Sequence, residues 1–495
     1  MPIEGEITPF GSDQKAGPAE VCESEQEVTD CSKKPVDSMP KEIDELQFDD
    51  FLSQTNVTLN GYRWYNPPPS LFKFVNVKQL VLDENNFKEL DQNFSEFRQL
   101  EILSVRNNRL QCIQVTNFQA WHNLHTLDLS HNQIENLPEE IKCCMQLKFL
   151  NINDNKFTKV PDGLYELKEL QVLSINQNQL ASFSEKIINW KGLMSLSAEK
   201  NQLSELPEQI TKLRNLKALR LSNNKISFLP KGFETLVNLS VLCLDNNRFR
   251  CIPAQVYSLW NLTELDFSNC AQITEISINI GRLSKLKVLG LNGNMIRELP
   301  EEIGYLENLL YLGIEKNPIE SLPERIYMLS SLQELRMKEC LLKQVPDELC
   351  NLKDLSLLSF QANPISTLPI EFSTFQKLTT LVLNECKFTE IPFVLCMLQS
   401  LEVLLMRSNL LSILPDEMKE LAYLQQLDLS GNQFKEFPAV ITKLSMLKAL
   451  DLSGNGLAAL PGDFSLALPQ LCVLNLKRNS FATLPEELYA YIFSK

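Results

Sequence analysis

One pattern governs this chain: an apolar residue opens a Leu-x-x-Leu-x-Leu-x-x-Asn motif, and the motif recurs without a gap from Val77 to Leu471. Its first positions are Val77, Leu100, Leu124, Leu147, Leu170, Leu193, Leu216, Leu239, Leu262, Leu286, Leu309, Leu332, Leu355, Leu378, Leu401, Leu424, Leu447 and Leu471, which is eighteen units. Fourteen of the seventeen spacings are 23 residues and three are 24. A chain built this way stacks one supersecondary unit on the next, because no single unit can bury its own apolar face.

Within a unit the spacing dictates the local structure. Leucines two apart, such as Leu127 with Leu129 and Leu427 with Leu429, fall on one side of a short strand, and the residues between them face solvent. Asparagine follows the strand at fifteen positions from Asn85 to Asn479, where its amide can satisfy backbone groups as the chain turns; Cys270, Cys340 and Cys386 replace it and read as buried residues of the same ladder. The second half of the unit reads Leu-Pro-x-x-Ile/Leu-x-x-Leu, as in Leu206, Pro207, Ile210 and Leu213. That spacing predicts a short 3₁₀ or α-helical segment burying one stripe, and fourteen of the 25 prolines share its first slot, expected in the first helical turn. The period matches the leucine-rich repeat, so the predicted fold is an α/β solenoid: a horseshoe with a parallel sheet on the concave face and short helical segments on the convex face. Seventeen steps of about 4.8 Å give an inner edge of roughly 80 Å.

Three regions are expected. Residues 1–38 read as a disordered acidic tail, since residues 1–50 carry 14 acids against four lysines, a net of -10 out of the chain's -15. Residues 39–76 read as an N-terminal helix, with Pro40, Ile43, Leu46 and Phe51 at near-helical spacing, followed by a degenerate capping repeat in which Gln54 and Tyr62 replace leucine and asparagine. Residues 77–495 hold the eighteen repeats. At the far end Phe481, Leu484, Pro485, Leu488 and Tyr491 would complete the last convex segment, leaving a strand edge to be covered by the C-terminus, a partner or further chain.

The remaining composition excludes more than it assigns. A net charge of -15 repels nucleic-acid phosphate, and no stretch approaches the roughly 20 apolar residues of a membrane span. The opening residues MPIEGEITPFGSD lack a signal peptide's basic start and apolar run, so a cytoplasmic chain is expected and the 13 cysteines read as reduced thiols. No phosphate loop, nucleophile elbow, His-Glu-x-x-His or Cys-x-x-Cys occurs, so neither enzymatic chemistry nor a cofactor is expected. His122, His125 and His131 cluster near Cys143 and Cys144, but register points them apart and no metal site is expected. Trp121 and Trp190 take core leucine slots; Trp260 falls one residue past its slot, partly exposed.

Function is then expected on the concave face, at the third, fifth and seventh places of each motif. The candidate partner-binding residues there are Arg220, Asp245 and Asp266, with Val241 and Glu264; Tyr311, Glu315, Arg336 and Lys338, with Glu334 and Lys316; and Leu405 and Arg407, which with Val382 and Val403 make an apolar strip edged by an arginine, followed by Asp428 and Asp451.

The units LRNLKALRLSNNKISFLPKGFETL and LAYLQQLDLSGNQFKEFPAVITKL resemble the intracellular leucine-rich repeats of the Ras group, which include the leucine-rich-repeat Ras–Raf scaffold, Ras suppressor protein and the repeat regions of Scribble and Erbin. The resemblance covers residues 54–495 and implies a scaffold or adaptor binding a Ras-type small GTPase and a phosphatase catalytic subunit. The acidic residues 1–50 carry no basic-hydrophobic phosphatase-docking motif, and no functional residue transfers by motif. The alternative is the recognition segment of a larger multidomain protein.

Overall fold

The computed structural model describes residues 55–482 apart from Ala271 and Asp463. The acidic tail, the helix around Ile43–Phe51 and the segment around Leu484–Tyr491 lie outside these residues.

Three-residue strands, one per unit, assemble into a 19-stranded parallel sheet. Register never slips: the fourth residue of each motif faces its counterpart in the next, so that Leu219 pairs with Leu242, Leu242 with Leu265 and Leu265 with Leu289. The sheet begins at Asn56–Thr58, whose Val57 pairs with Leu80. There Tyr62 stands where later units have asparagine, and its ring stacks on Trp64 at 4.7 Å between centroids. A second, two-stranded parallel pair joins Glu89–Leu90 to Cys112–Ile113.

The asparagine ladder explains why register holds. Asn224 donates from Nδ2 to the carbonyls of Ala198 and Leu221, and its Oδ1 accepts from the N–H of Leu203. One side chain thus satisfies three buried backbone groups in two successive units. At Cys270, Cys340 and Cys386 the thiol instead faces the equivalent carbonyls of Leu244, Ile314 and Phe360. The residue just before each ladder position is left-handed in all eighteen repeats, from Glu84 (φ 58°) to Arg478 (φ 58°), with Gly293, Gly431 and Gly454 in three of them. This turn aims the asparagine inward, and the motif gave no hint of it.

On the opposite face each unit makes a short 3₁₀ segment, such as Glu208–Lys212 or Glu301–Tyr305. The prolines correct the expectation by one residue: Pro207 and Pro300 precede the first turn as N-caps, in extended conformation, rather than lying inside it. A ring-fixed φ suits that extended residue, whose own carbonyl then accepts the first helical N–H, as Pro207 does from Ile210. Two of the three 24-residue units use their extra residue in an α-turn, Val115–Ala120 and Phe464–Ala467. The core between sheet and 3₁₀ layer is a continuous column of buried leucine and isoleucine. Trp121 and Trp190 are fully buried in it, their indole N–H groups donating to the carbonyls of Phe94 and Leu164.

Candidate functional site on the concave face

Parallel register turns the strands into columns. The fifth motif position places Arg220 beside Cys243, then Asp266, Gly290, Gly313, Arg336, Ser359, Val382, Leu405, Asp428 and Asp451 in order. Neighbours in such a column are about 5 Å apart and act as one surface.

The middle of the column is shaped by its two glycines. A Cβ on Gly290 would stand 2.5 Å from Oδ1 of Asp266, and one on Gly313 would stand 2.7 Å from the Tyr311 hydroxyl. Asp266 therefore leans across one empty position and Tyr311 lies over the other, its hydroxyl bonded to Asn292; burial pushes the Tyr311 phenol above its ordinary pKa. Arg336, across the gap, is half-buried and paired through Nε to Glu334. Burial opposes the charge of its guanidinium, but the Glu334 carboxylate, the Tyr311 hydroxyl and Glu315 outweigh that effect and raise its pKa. Lys338 is half-buried with its ammonium 3.6 Å from Glu339. Glu315, half-buried, donates its backbone N–H to Asn292.

The sequence candidates thus fall into three situations. Tyr311, Glu315, Arg336 and Lys338 come together around the glycine gap, though both cations have carboxylate neighbours and do not form a bare positive patch. Arg220 and Asp266 lie two repeats apart in one column, with Cys243 between them, both half-buried. Asp245 is only 7 % exposed and accepts from the Ser222 hydroxyl and the Asn246 amide, so its carboxylate is engaged within the sheet. Leu405, Val382 and Val403 form the half-buried apolar strip, with Arg407 exposed at its edge.

Two concave features escaped the sequence reading. Phe149, at the third position of its motif, is 44 % exposed on the concave side, and an aromatic in that column was the available signal. Cys243 sits between Arg220 and Asp266 with its thiol toward Glu264; burial and the neighbouring carboxylates hold it protonated.

Two of the three histidines have ordinary partners. His131 Nδ1 lies 2.7 Å from Asp154, and His125 Nε2 lies 3.0 Å from Gln146. Among the described residues no group of three or more His, Cys, Asp or Glu side chains is placed to hold a metal, and the described cysteines are free thiols. Trp260 is 54 % exposed.

Comparison with known proteins agrees with this architecture. A leucine-rich repeat region model matches residues 261–362, and a leucine rich repeat model matches residues 98–157, 191–249 and 376–434. The chain is a leucine-rich repeat protein of the horseshoe solenoid type. A leucine-rich repeat protein of Leptospira interrogans shares 28 % identity with it at a TM-score of 0.59, covering 86 % of this chain and 97 % of that one. The ectodomain of the Arabidopsis receptor kinase HAESA, solved with a peptide hormone ligand, shares 25 % identity at a TM-score of 0.64 and covers 86 % of this chain and 73 % of its own. A curated relative, the leucine-rich repeat serine/threonine-protein kinase 1 of Caenorhabditis elegans, is 34 % identical over 92 residues, 18 % of this chain and 4 % of that protein. Among the described residues no helix is long and apolar enough to cross a membrane.

Proposed function

We propose that this protein is a non-enzymatic intracellular scaffold or adaptor that holds a protein partner on its concave face, within Ras-type small GTPase signalling. The observation that carries the reading is the columnar surface of repeats 7–15, where Asp266 and Tyr311 cover the two glycines beside Arg336 as a charged and polar surface and the strip of Val382, Val403 and Leu405 supplies an apolar anchor. A charged rim around an apolar anchor is the usual anatomy of a protein interface. Recognition of polypeptide by this fold is supported by the HAESA ectodomain, which was solved with a peptide hormone ligand. The buried thiols of Cys270, Cys340 and Cys386 suit a reducing compartment. A Ras-type GTPase is the first partner class and a phosphatase catalytic subunit the second, both from resemblance of the repeat units. The short kinase match favours one further reading, in which these repeats serve as the recognition segment of a larger protein.

The test is a titration of the full chain with a purified Ras-type GTPase loaded with GDP or a non-hydrolysable GTP analogue, beside a variant carrying Arg336→Glu, Lys338→Glu and Leu405→Asp, with circular dichroism confirming both folds. Nucleotide-dependent binding that falls at least tenfold in the variant supports the reading. Absence of binding in either nucleotide state removes the GTPase, and equal binding by both proteins removes the concave site.

A further inference from the structure

A different face carries a second signal. Each unit passes from the last residue of its 3₁₀ segment to the strand of the next unit through a six-residue edge, and in repeats 5–9 these edges are residues 189–194, 212–217, 235–240, 258–263 and 282–287. Together they hold seven cations, Lys191, Lys212, Arg214, Lys217, Arg282, Lys285 and Lys287, and not one carboxylate, in a chain with 62 acids against 47 Lys and Arg. All seven are exposed. Lys285 donates to the Asn261 amide oxygen at 2.7 Å, and among the described residues none of the seven pairs with a carboxylate. The strip ends where acids return, at Glu166 and Glu169 in repeat 4 and Glu307 in repeat 10.

The edge is a built surface. A second asparagine ladder runs along it: Asn215 donates to the Lys191 carbonyl at 2.8 Å, Asn238 to that of Arg214 at 2.8 Å and Asn261 to that of Val237 at 2.7 Å. This holds Lys191 and Arg214 in adjacent register, where like charges repel. Gly192 stands where the next three edges carry asparagine, and the missing side chain helps open a shallow depression of about 370 Å³ lined by Gln171, Met194, Asn215, Lys217 and Asn238. Trp260 projects from the same edge between the two groups of cations.

We propose that this edge docks an acidic segment of a partner protein, with carboxylates at both ends and an apolar side chain between them. Four repeat steps span about 19 Å, the reach of about six extended residues. Such a segment reads the local field within a Debye length of about 8–10 Å, whereas a long nucleic-acid polyanion also meets the repulsion of the whole chain. The depression beside Gly192 and the exposed indole of Trp260 suit an extended chain that carries an apolar side chain.

Fluorescence anisotropy tests this with the full chain and a labelled heptapeptide of three glutamates, one leucine and three glutamates, at 50 and 300 mM salt. Saturable binding is expected that weakens at least tenfold at the higher salt, weakens at least tenfold in the Lys191→Glu, Arg214→Glu, Lys217→Glu variant and weakens several-fold in Trp260→Ala; unchanged melting temperatures show that the variants fold. No saturable binding, or equal binding by the charge-reversed variant, overturns the proposal. So does charge-dependent binding of phosphatidylserine vesicles or a single-stranded RNA oligonucleotide when the heptapeptide fails to bind.

Discussion

The carboxylate of Asp266 fills the space that a side chain on Gly290 would occupy, one repeat away, its Oδ1 lying 2.5 Å from the Cβ position. The glycine is therefore part of how the concave face presents its charge. Gly290 has no positive φ, so alanine can adopt its backbone, and the obstacle is a movable side chain. Gly290→Ala is expected to change stability by less than about 1 kcal/mol, the entropic gain of alanine offsetting the displacement of Asp266. Gly293→Ala, at φ 63° and with a Cβ that would clash with Asn269 Oδ1, is expected to cost about 1–3 kcal/mol. Urea melts of the two variants check the contrast, and a larger loss at Gly290 would show that Asp266 cannot move aside.

Asn224 tests the ladder itself. Removing its amide leaves the Ala198 and Leu221 carbonyls and the Leu203 N–H without their side-chain partner in a buried layer. Asn224→Ala is expected to lower stability by about 2–3 kcal/mol, whereas Cys386→Asn, which restores the amide where the thiol faces the Phe360 carbonyl, is expected to gain about 1 kcal/mol. Equilibrium denaturation of both, with the wild type, measures the pair.

The fold was legible because its information is periodic. A recurrence of 23 residues fixes which side chains are buried together, and it places Trp121, Trp190 and the ladder cysteines in the core where the structure has them. The concave site was legible only as a set of columns. Period assigns a face to Arg336 and Asp245 but says nothing of rotamers, so it could not show that Arg336 turns to Glu334 or that Asp245 turns inward to Ser222. The left-handed residue before each asparagine was hidden for another reason: fifteen of its eighteen occupants are not glycine, and the turn is imposed by stacking rather than by residue type. The basic edge was hidden because its cations belong to no repeating position, and only their shared lack of acids marks them.

The cysteines predict an alkaline limit. Burial pushes the thiols of Cys270, Cys340, Cys386 and Cys396 from 9.0 up to about 11. Below pH 9 the folded and unfolded chains both keep these protons, and the contribution to stability is fully present. Between about pH 9 and 11 the unfolded chain releases them first, so stability falls as pH rises and is lost through the folded pKa. Melting temperature against pH is expected to drop across that window, with a shallower drop in Cys386→Ala. Alkylation at pH 8 followed by peptide mapping is expected to mark the exposed Cys251 and Cys472 in the folded protein and to spare these four.

Asp428 is the acidic counterpart, with the opposite remedy. It is buried, accepts from the N–H of Ser430 at 2.9 Å and lies in register with Asp451, the next member of its column. Burial raises its pKa, the Ser430 bonds oppose that rise, and the Asp451 charge adds to it. Elsewhere in this column an asparagine follows an aspartate and donates to it, Asn151 to Asp128 at 3.0 Å and Asn475 to Asp451 at 2.8 Å, whereas the residue that follows Asp428 is a second carboxylate, Asp451. A raised carboxyl is held best when protonated: its contribution is full below the ordinary value of 3.8 and is lost as pH climbs through the raised value. Asp428→Asn keeps an oxygen for the Ser430 N–H and removes the charge. Its melting temperature is expected to exceed that of the wild type at pH 7, with the difference closing toward pH 3. An equal offset at both pH values would trace the gain to packing instead of charge.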